Sequence, residues 1–340
     1  MMNERMMRKL FKTIVFVGLI GICAIAPFAQ CKELTFQVLI PEMAAGGPYW
    51  KSNLQGMEKA GAKNGFKVFA IDAHGDIGNQ MAQLENAIAK KVDAILLAPV
   101  ETKALSSGVK KANEAGIPIV VFAREIDQEA LKVEGAIIEC FVGYDFKEIG
   151  VMQAKWILQW LSKNPKFPKP YRIVFLTGTP GSGSAVPQNK GVHEVLDPLE
   201  AKGEIKIIAE RTGNWVTDKG LAAMENILAT TRDIHAVIGG NDSMAMGAIG
   251  ALKALKLLNN PTVVIGNNAF PFALEAVNAG EMLGTVIVST EQMGYWASEM
   301  AYKVVTTKKK PPQRFMIPLT MYVKGSTWKP EGAIPSLPWP

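Results

Sequence analysis

The run Ile234-His235-Ala236-Val237-Ile238-Gly239-Gly240-Asn241-Asp242-Ser243-Met244-Ala245-Met246-Gly247-Ala248-Ile249 decides how this chain of 340 residues is read. A short apolar stretch ends in Gly239-Gly240, and an Asn-Asp pair then opens a segment whose apolar residues recur at helical spacing. The pattern is strand, tight turn, helix. Asp242 is expected to cap the free amides of that helix. Asn241 then falls at the carboxyl end of the strand, where open α/β sheets bind their ligands. Its carboxamide offers a donor and an acceptor together, which suits a hydroxyl that is also both. The alternative is that Asn241 merely serves the turn.

The same alternation runs outward in both directions. Strands are predicted at Thr35–Ile40, Lys67–Asp72, Ala94–Ala98, Ile117–Phe122, Ile137–Val142, Tyr171–Leu176, Ile205–Ala209, Ala236–Ile238, Thr262–Ile265 and Gly284–Val288. Amphipathic stretches such as Gln80–Lys90, Ala104–Ala115 and Phe146–Leu161 lie between them. The strand runs are continuously apolar, as they are when both faces of a sheet are covered, so the expected class is α/β with parallel sheets. Asn164-Pro165-Lys166-Phe167-Pro168-Lys169-Pro170 reads as a loop, and no Gly/Ser linker divides the chain. That favours two lobes joined by several short crossings.

Length alone suits two domains, and 48% hydrophobic with 20% charged residues is a folded globular composition. Arg8, Lys9 and Lys12 precede the apolar stretch Ile14–Ala26, too short to span a bilayer but right for a signal-peptide core. Residues 1–30 are read as a signal peptide and the mature chain as exported and soluble. Lipid attachment at Cys31 is the less favoured alternative, because Phe28-Ala29-Gln30 lacks the usual small residue before the cysteine. Residues 1–30 carry four of the 37 Lys+Arg and one of the 31 Asp+Glu. The remaining 33 against 30 give a net charge near +3, too weak a bias to argue for nucleic acid. Only Cys31 and Cys140 survive processing, so a single bridge between them is conceivable and a disulfide framework is not.

Catalytic chemistry is not visible. His74, His193 and His235 share no metal-ligand spacing, and no Cys-x-x-Cys occurs. Gly178-Thr179-Pro180-Gly181-Ser182-Gly183-Ser184 follows a strand, but Ser184 and Ala185 stand where a phosphate loop needs Lys and Ser/Thr. Gly-x-Ser-x-Gly is missing too. No metal, no cofactor and no enzymatic activity are expected.

Four stretches in their order resemble the periplasmic sugar-binding proteins of ABC transporters, in the ribose/galactose-type cluster. They are Gly47-Pro48-Tyr49-Trp50, Ala94-Ile95-Leu96-Leu97-Ala98-Pro99, Pro118-Ile119-Val120-Val121-Phe122-Ala123-Arg124 and Gly240-Asn241-Asp242-Ser243-Met244-Ala245-Met246-Gly247-Ala248. The resemblance extends from Thr35 to about Val323. It implies two similar doubly wound parallel-sheet lobes joined by three crossings, with the ligand in the cleft. One lobe would be 34–143 plus 289–318, the other 144–288 plus 319–340. A closing hinge would bind a small sugar, polyol or sugar acid and present it to an inner-membrane ABC permease, and a monomer is expected. The rival readings are a periplasmic sensor that presents its ligand to a membrane receptor or kinase, and a binder of a non-sugar or acidic metabolite.

By that resemblance Tyr49 and Trp50 lie against one face of the sugar and Trp215 against the other. Apolar C–H faces are buried by such flat side chains while hydroxyls meet polar groups. Arg124 and Lys190 are the expected cations, with Gln188 and Asn189 competing for the place of Lys190. Asn241 and Asn268 are the hydrogen-bonding amides, and Asn267 and Tyr144 are secondary candidates. The departures are Ala123, Ala98, Val288 and Asn268, where acidic or polar side chains are common. A pocket with cations and no anions is costly unless something compensates it. Either Glu42, Asp145 or Glu291 supplies the charge, or the ligand is itself acidic or carbonyl-rich.

Overall fold

The computed structural model describes residues 33–259 and 262–328. The expected signal peptide at 1–30, its expected cleavage site and Cys31 lie outside them. From Leu34 onward the chain forms one unit built on twelve strands among the described residues.

In chain order these are β1 (Leu34–Ile40), β2 (Phe66–Asp72), β3 (Ala94–Leu97), β4 (Ile119–Phe122), β5 (Cys140–Gly143), β6 (Tyr171–Thr177), β7 (Ile205–Thr212), β8 (Ala236–Gly239), β9 (Val263–Asn267), β10 (Gly284–Ile287), β11 (Arg314–Met316) and β12 (Thr320–Val323). They form two six-stranded sheets, β11-β5-β4-β3-β1-β2 and β12-β10-β9-β8-β6-β7. Every pairing is parallel except that of β12 with β10. Apart from the edge strands β11 and β12, the five strands of each sheet share one order, which makes the lobes alike.

All residues of β3, β4, β5 and β8 are buried, because helices cover both faces of each sheet. Alternation then divides each strand between two cores. In β1, Val38 enters one core of the first lobe and Leu39 the other. In β6, Val174 and Leu176 enter one core of the second lobe, and Ile173 and Phe175 the other. Cys140 is a free thiol sealed in β5, and burial pushes its pKa up to about 12.

The helices are α1 (Met43–Asn64), α2 (Ile77–Ala89), α3 (Ser106–Glu114), α4 (Gln128–Glu134), α5 (Phe146–Ser162), α6 (Ala185–Ala201), α7 (Thr217–Leu228), α8 (Asp242–Ala254), α9 (Pro271–Ala279) and α10 (Thr290–Thr307). Among them no helix is long and apolar enough to cross a membrane. The chain changes sheets three times: between β5 and α5, between β10 and α10, and between β11 and β12.

Some predicted bounds shift. Ile137 stays outside β5, exposed, because its backbone N–H and C=O are taken by the carboxamide of Asn113. β11 and β12 were not anticipated as strands, being three and four residues long beside Pro311-Pro312 and Pro318.

Each helix that follows a lobe crossing is pressed against the first helix of its new lobe. A Cβ added to Gly56 of α1 would lie 1.9 Å from Glu291 O, and one on Gly294 of α10 would lie 2.0 Å from Asn53 O. In the second lobe a Cβ on Gly150 of α5 would lie 2.1 Å from Gln188 O, and one on Gly191 of α6 would lie 2.0 Å from Lys147 O. Backbone therefore touches backbone, and no side chain fits between. Gly294→Ala should lower stability by about 1–3 kcal/mol, the cost of overpacking, in urea unfolding. Gly250→Ala, on the exposed side of α8 with only Leu221 Cδ1 at 3.7 Å, should leave stability unchanged or raise it slightly.

Candidate functional site

The carboxyl ends of strands in both sheets open onto one cavity, whose empty space of about 540 Å³ includes open solvent at its mouth. Tyr49 and Trp50 of α1, Arg124 after β4 and Phe146 at the start of α5 form one side. The other side is Ser184, Gln188, Trp215, Asn241, Asn267 and Asn268, all from the second lobe.

Tyr49 and Trp50 lie in the second turn of α1, beyond the strand end where the sequence placed them. Trp50 is 3% exposed and meets Tyr49 edge-on at 4.9 Å and Phe122 at 6.2 Å. It is both a core residue and a cleft wall. The Arg124 guanidinium sits 5.6 Å from the Trp50 ring centroid, a cation–π contact. Ala123, with φ +61°, turns the chain so that Arg124 follows β4 into the cleft. Burial lowers the pKa of Arg124, against opposing contributions from Tyr49 and Glu42. Burial also raises the pKa of the Tyr49 phenol, against Arg124, so its hydroxyl keeps its proton.

In the second lobe Trp215 rests directly on the backbone of Gly178, where a Cβ would come within 1.9 Å of the indole. Asn214 and Trp215 both hold positive φ, +48° and +66°, which swings the ring over that seat. The Trp215 carbonyl accepts from Asn241 Nδ2 at 3.0 Å, and Asn241 Oδ1 accepts from Met244 N at 2.9 Å.

The capping assignment is thereby corrected. Asn241, not Asp242, caps α8. Its backbone has extended φ/ψ, as a cap requires, whereas Asp242 is already helical and its carboxylate turns inward. There it accepts from Thr285 Oγ1 at 2.7 Å and Phe270 N at 2.9 Å, with further backbone bonds from Asn267 and Ala269. Gly266 leaves the room, since a Cβ there would lie 2.2 Å from Asp242 Oδ1. Asn241 serves both turn and cavity.

A second network holds the strand ends. Gln153 Nε2 donates to the carbonyls of Gly239 and Gly266, and Gln188 Nε2 donates to Gln153 Oε1 and Gly240 O. Asn267 Nδ2 also donates to Gly240 O, at 3.3 Å, while its Oδ1 is buried without a partner.

Lys190 does not enter the cavity; it is exposed, with its charge beside Glu194. Gln188 faces inward on α6, and two residues further is about 200° around a helix, so Lys190 faces out. Asn189 is not among the lining residues either. Asp145 is exposed and caps α5 by accepting from Glu148 N. Glu291 is engaged by Lys59 at 2.6 Å. Glu42 acts on Arg124 electrostatically but does not line the cavity. Tyr144 is buried, donates to Ser289 O at 3.1 Å, and lies behind the wall. Ala98 and Val288 are core residues of the first lobe. Phe146 and Ser184 line the cavity unanticipated; the one sequence signal was an aromatic residue directly after the Asp145 cap. Among the described residues no cluster suited to a metal occurs.

Comparison with known proteins gives the family. Residues 38–310 match the model of a periplasmic binding protein domain, and the chain belongs to that family. The ribose import binding protein RbsB of Bacillus subtilis (strain 168) is 30% identical over 278 residues, 82% of this chain and 84% of the relative. A solved ABC transporter periplasmic solute binding protein of Actinobacillus succinogenes with bound D-allose has a TM-score of 0.77 at 26% identity, covering 86% of this chain and 98% of its own. The Caulobacter myo-inositol binding protein, bound to myo-inositol, has a TM-score of 0.75 at 28% identity, covering 86% and 94%. The family is one of binding proteins rather than enzymes.

Two outcomes follow from this geometry. Gly178→Val should unseat Trp215 and change its fluorescence, at little cost to secondary structure by circular dichroism. Burial lifts the Asp242 pKa from 3.8 to about 7 despite the opposing hydrogen bonds. A raised acid holds its proton where the unfolded chain has lost it, so this stabilisation is full below about pH 3.8 and disappears as pH rises through about 7. Urea stability measured from pH 5 to pH 8 should fall more steeply for the wild type than for Asp242→Asn.

Proposed function

We propose that this chain is an exported periplasmic binding protein that takes up a small sugar or polyol-like ligand and delivers it to an inner-membrane ABC permease. The observation that carries the reading is the pair of aromatic walls from opposite lobes, Tyr49 and Trp50 facing across the cavity to Trp215. Flat rings bury the C–H faces of a saturated ring, and the amides of Asn241, Asn267, Asn268 and Gln188 at the strand ends meet its hydroxyls. Relatives that bind ribose, allose and myo-inositol by name support the same class.

Because the walls belong to different lobes, a ligand gains both only when the cleft is shut, and that differential contact drives closure. The three connectors are the hinge. The protein acts as a monomer in this reading, presenting the closed form to the permease.

Titration with a panel of pentoses, hexoses, cyclitols and their acid derivatives should show one-to-one binding of at least one member. Trp215→Ala should weaken it about 30-fold, the order of 2 kcal/mol for a buried aromatic anchor. A folded protein that binds no member of the panel contradicts the reading.

A further inference from the structure

We infer that the ligand is a polyhydroxylated monocarboxylate, held with its carboxylate on Arg124 and its hydroxyls toward the amides of the second lobe. This rests on the proposed function and narrows it to an acidic ligand class.

Arg124 is the one charged side chain among the lining residues, and Glu42, the carboxylate that acts on it electrostatically, does not line the cavity. The candidates that could have balanced it are engaged or set back. Asp145 caps α5, Glu291 pairs with Lys59, and Glu42 stands outside the lining. The opposite lobe covers the arginine: a Cβ on Gly183 would lie 3.7 Å from Arg124 Cβ and 3.4 Å from Thr102 Cγ2. The half-buried guanidinium keeps its charge, because its pKa is too high to lose it. The missing anion must then come with the ligand, and the planar fork of arginine matches a carboxylate with two parallel hydrogen bonds.

The second lobe carries the complementary preference. Asn267 Oδ1 is a buried acceptor with no donor among the described residues, and the Gln188 carboxamide makes its two hydrogen bonds through its nitrogen, which leaves its oxygen to the ligand. Those oxygens repel a carboxylate and accept from hydroxyls. Donors on one side and acceptors on the other set the orientation of a hydroxy acid lying across Trp215. A single guanidinium balances a single charge, so a carboxylate fits better than a phosphate ester carrying about −1.5 to −2.

The test is calorimetric titration of the mature chain with matched pairs: D-glucuronate and D-glucose, D-galacturonate and D-galactose, D-xylonate and D-xylose, with D-ribose 5-phosphate as a further probe. At least one acid should bind about 10-fold or more tighter than its neutral partner, the scale of a charge-assisted hydrogen bond. Arg124→Gln should abolish that preference, whatever it does to affinity for the neutral sugars, and Arg124→Lys should keep part of it. Ligand-free melting curves show whether each variant is folded; if Arg124→Gln is not, the wild-type ratio and Arg124→Lys decide. Neutral sugars that bind as tightly as the acids overturn the inference and leave the sugar reading standing. So does a preference that survives Arg124→Gln, or tighter binding of the phosphate ester. Failure of every member of the panel overturns both.

Discussion

One buried carboxylate holds the second lobe's side of the cleft. Asp242 ties three segments that are distant in sequence: the start of α8, the turn between β9 and α9, and β10 through Thr285. That turn contains Asn268 at φ +123° and Ala269 at φ +57°, conformations that non-glycine residues hold only when their surroundings fix them. With the turn fixed, Asn267 and Asn268 face the cavity; with α8 fixed, Asn241 caps it and pins the Trp215 backbone. The polar and aromatic parts of this wall therefore move together or not at all.

Rigidity within lobes is what makes motion between them useful. The glycine crossings of α1 with α10 and of α5 with α6 bring backbone against backbone just beyond the connectors. A rotation at a connector is then transmitted to a whole lobe instead of being lost in a sliding helix. The consequence at the cleft is that Trp50 and Trp215 approach as two solid walls. Ligand free energy goes into choosing the shut state, since the lobes themselves are already ordered.

Much of this was legible in the sequence, for physical reasons that also mark where legibility stopped. Continuous apolar runs such as Ala94–Leu97 and Ala236–Gly239 report burial on both faces, so the two parallel-sheet lobes could be read without any structure. Arg124, Trp215 and Asn241 stand just past strand ends, and Tyr49 and Trp50 in the helix after β1, where residue type suggests a cleft. Roles that depend on a single step of helical phase were not legible. Asn241 and Asp242 exchanged the cap because either residue type can cap, and only backbone φ/ψ shows which one stands outside the helix. Lys190 and Gln188 are two residues apart on α6, and the length of the preceding loop decides which of them faces in. Ser184 carries no signal in its type, and Phe146 only that of an aromatic residue at a helix start. The absence of carboxylates from the cavity lining was foreshadowed by Ala123 and Asn268, but the engagement of Asp145 and Glu291 elsewhere is a three-dimensional fact.

Ligand capture between aromatic walls of opposite lobes is the central claim. A crystal structure of the protein with its bound ligand is its sharpest test. The account predicts the ligand in the cleft, with one face on Trp215, an edge on Asn241, Asn267 and Asn268, and the first lobe closing on it through Tyr49, Trp50 and Arg124. A ligand seated within one lobe, or a cleft that holds solvent while the ligand lies elsewhere, would contradict it.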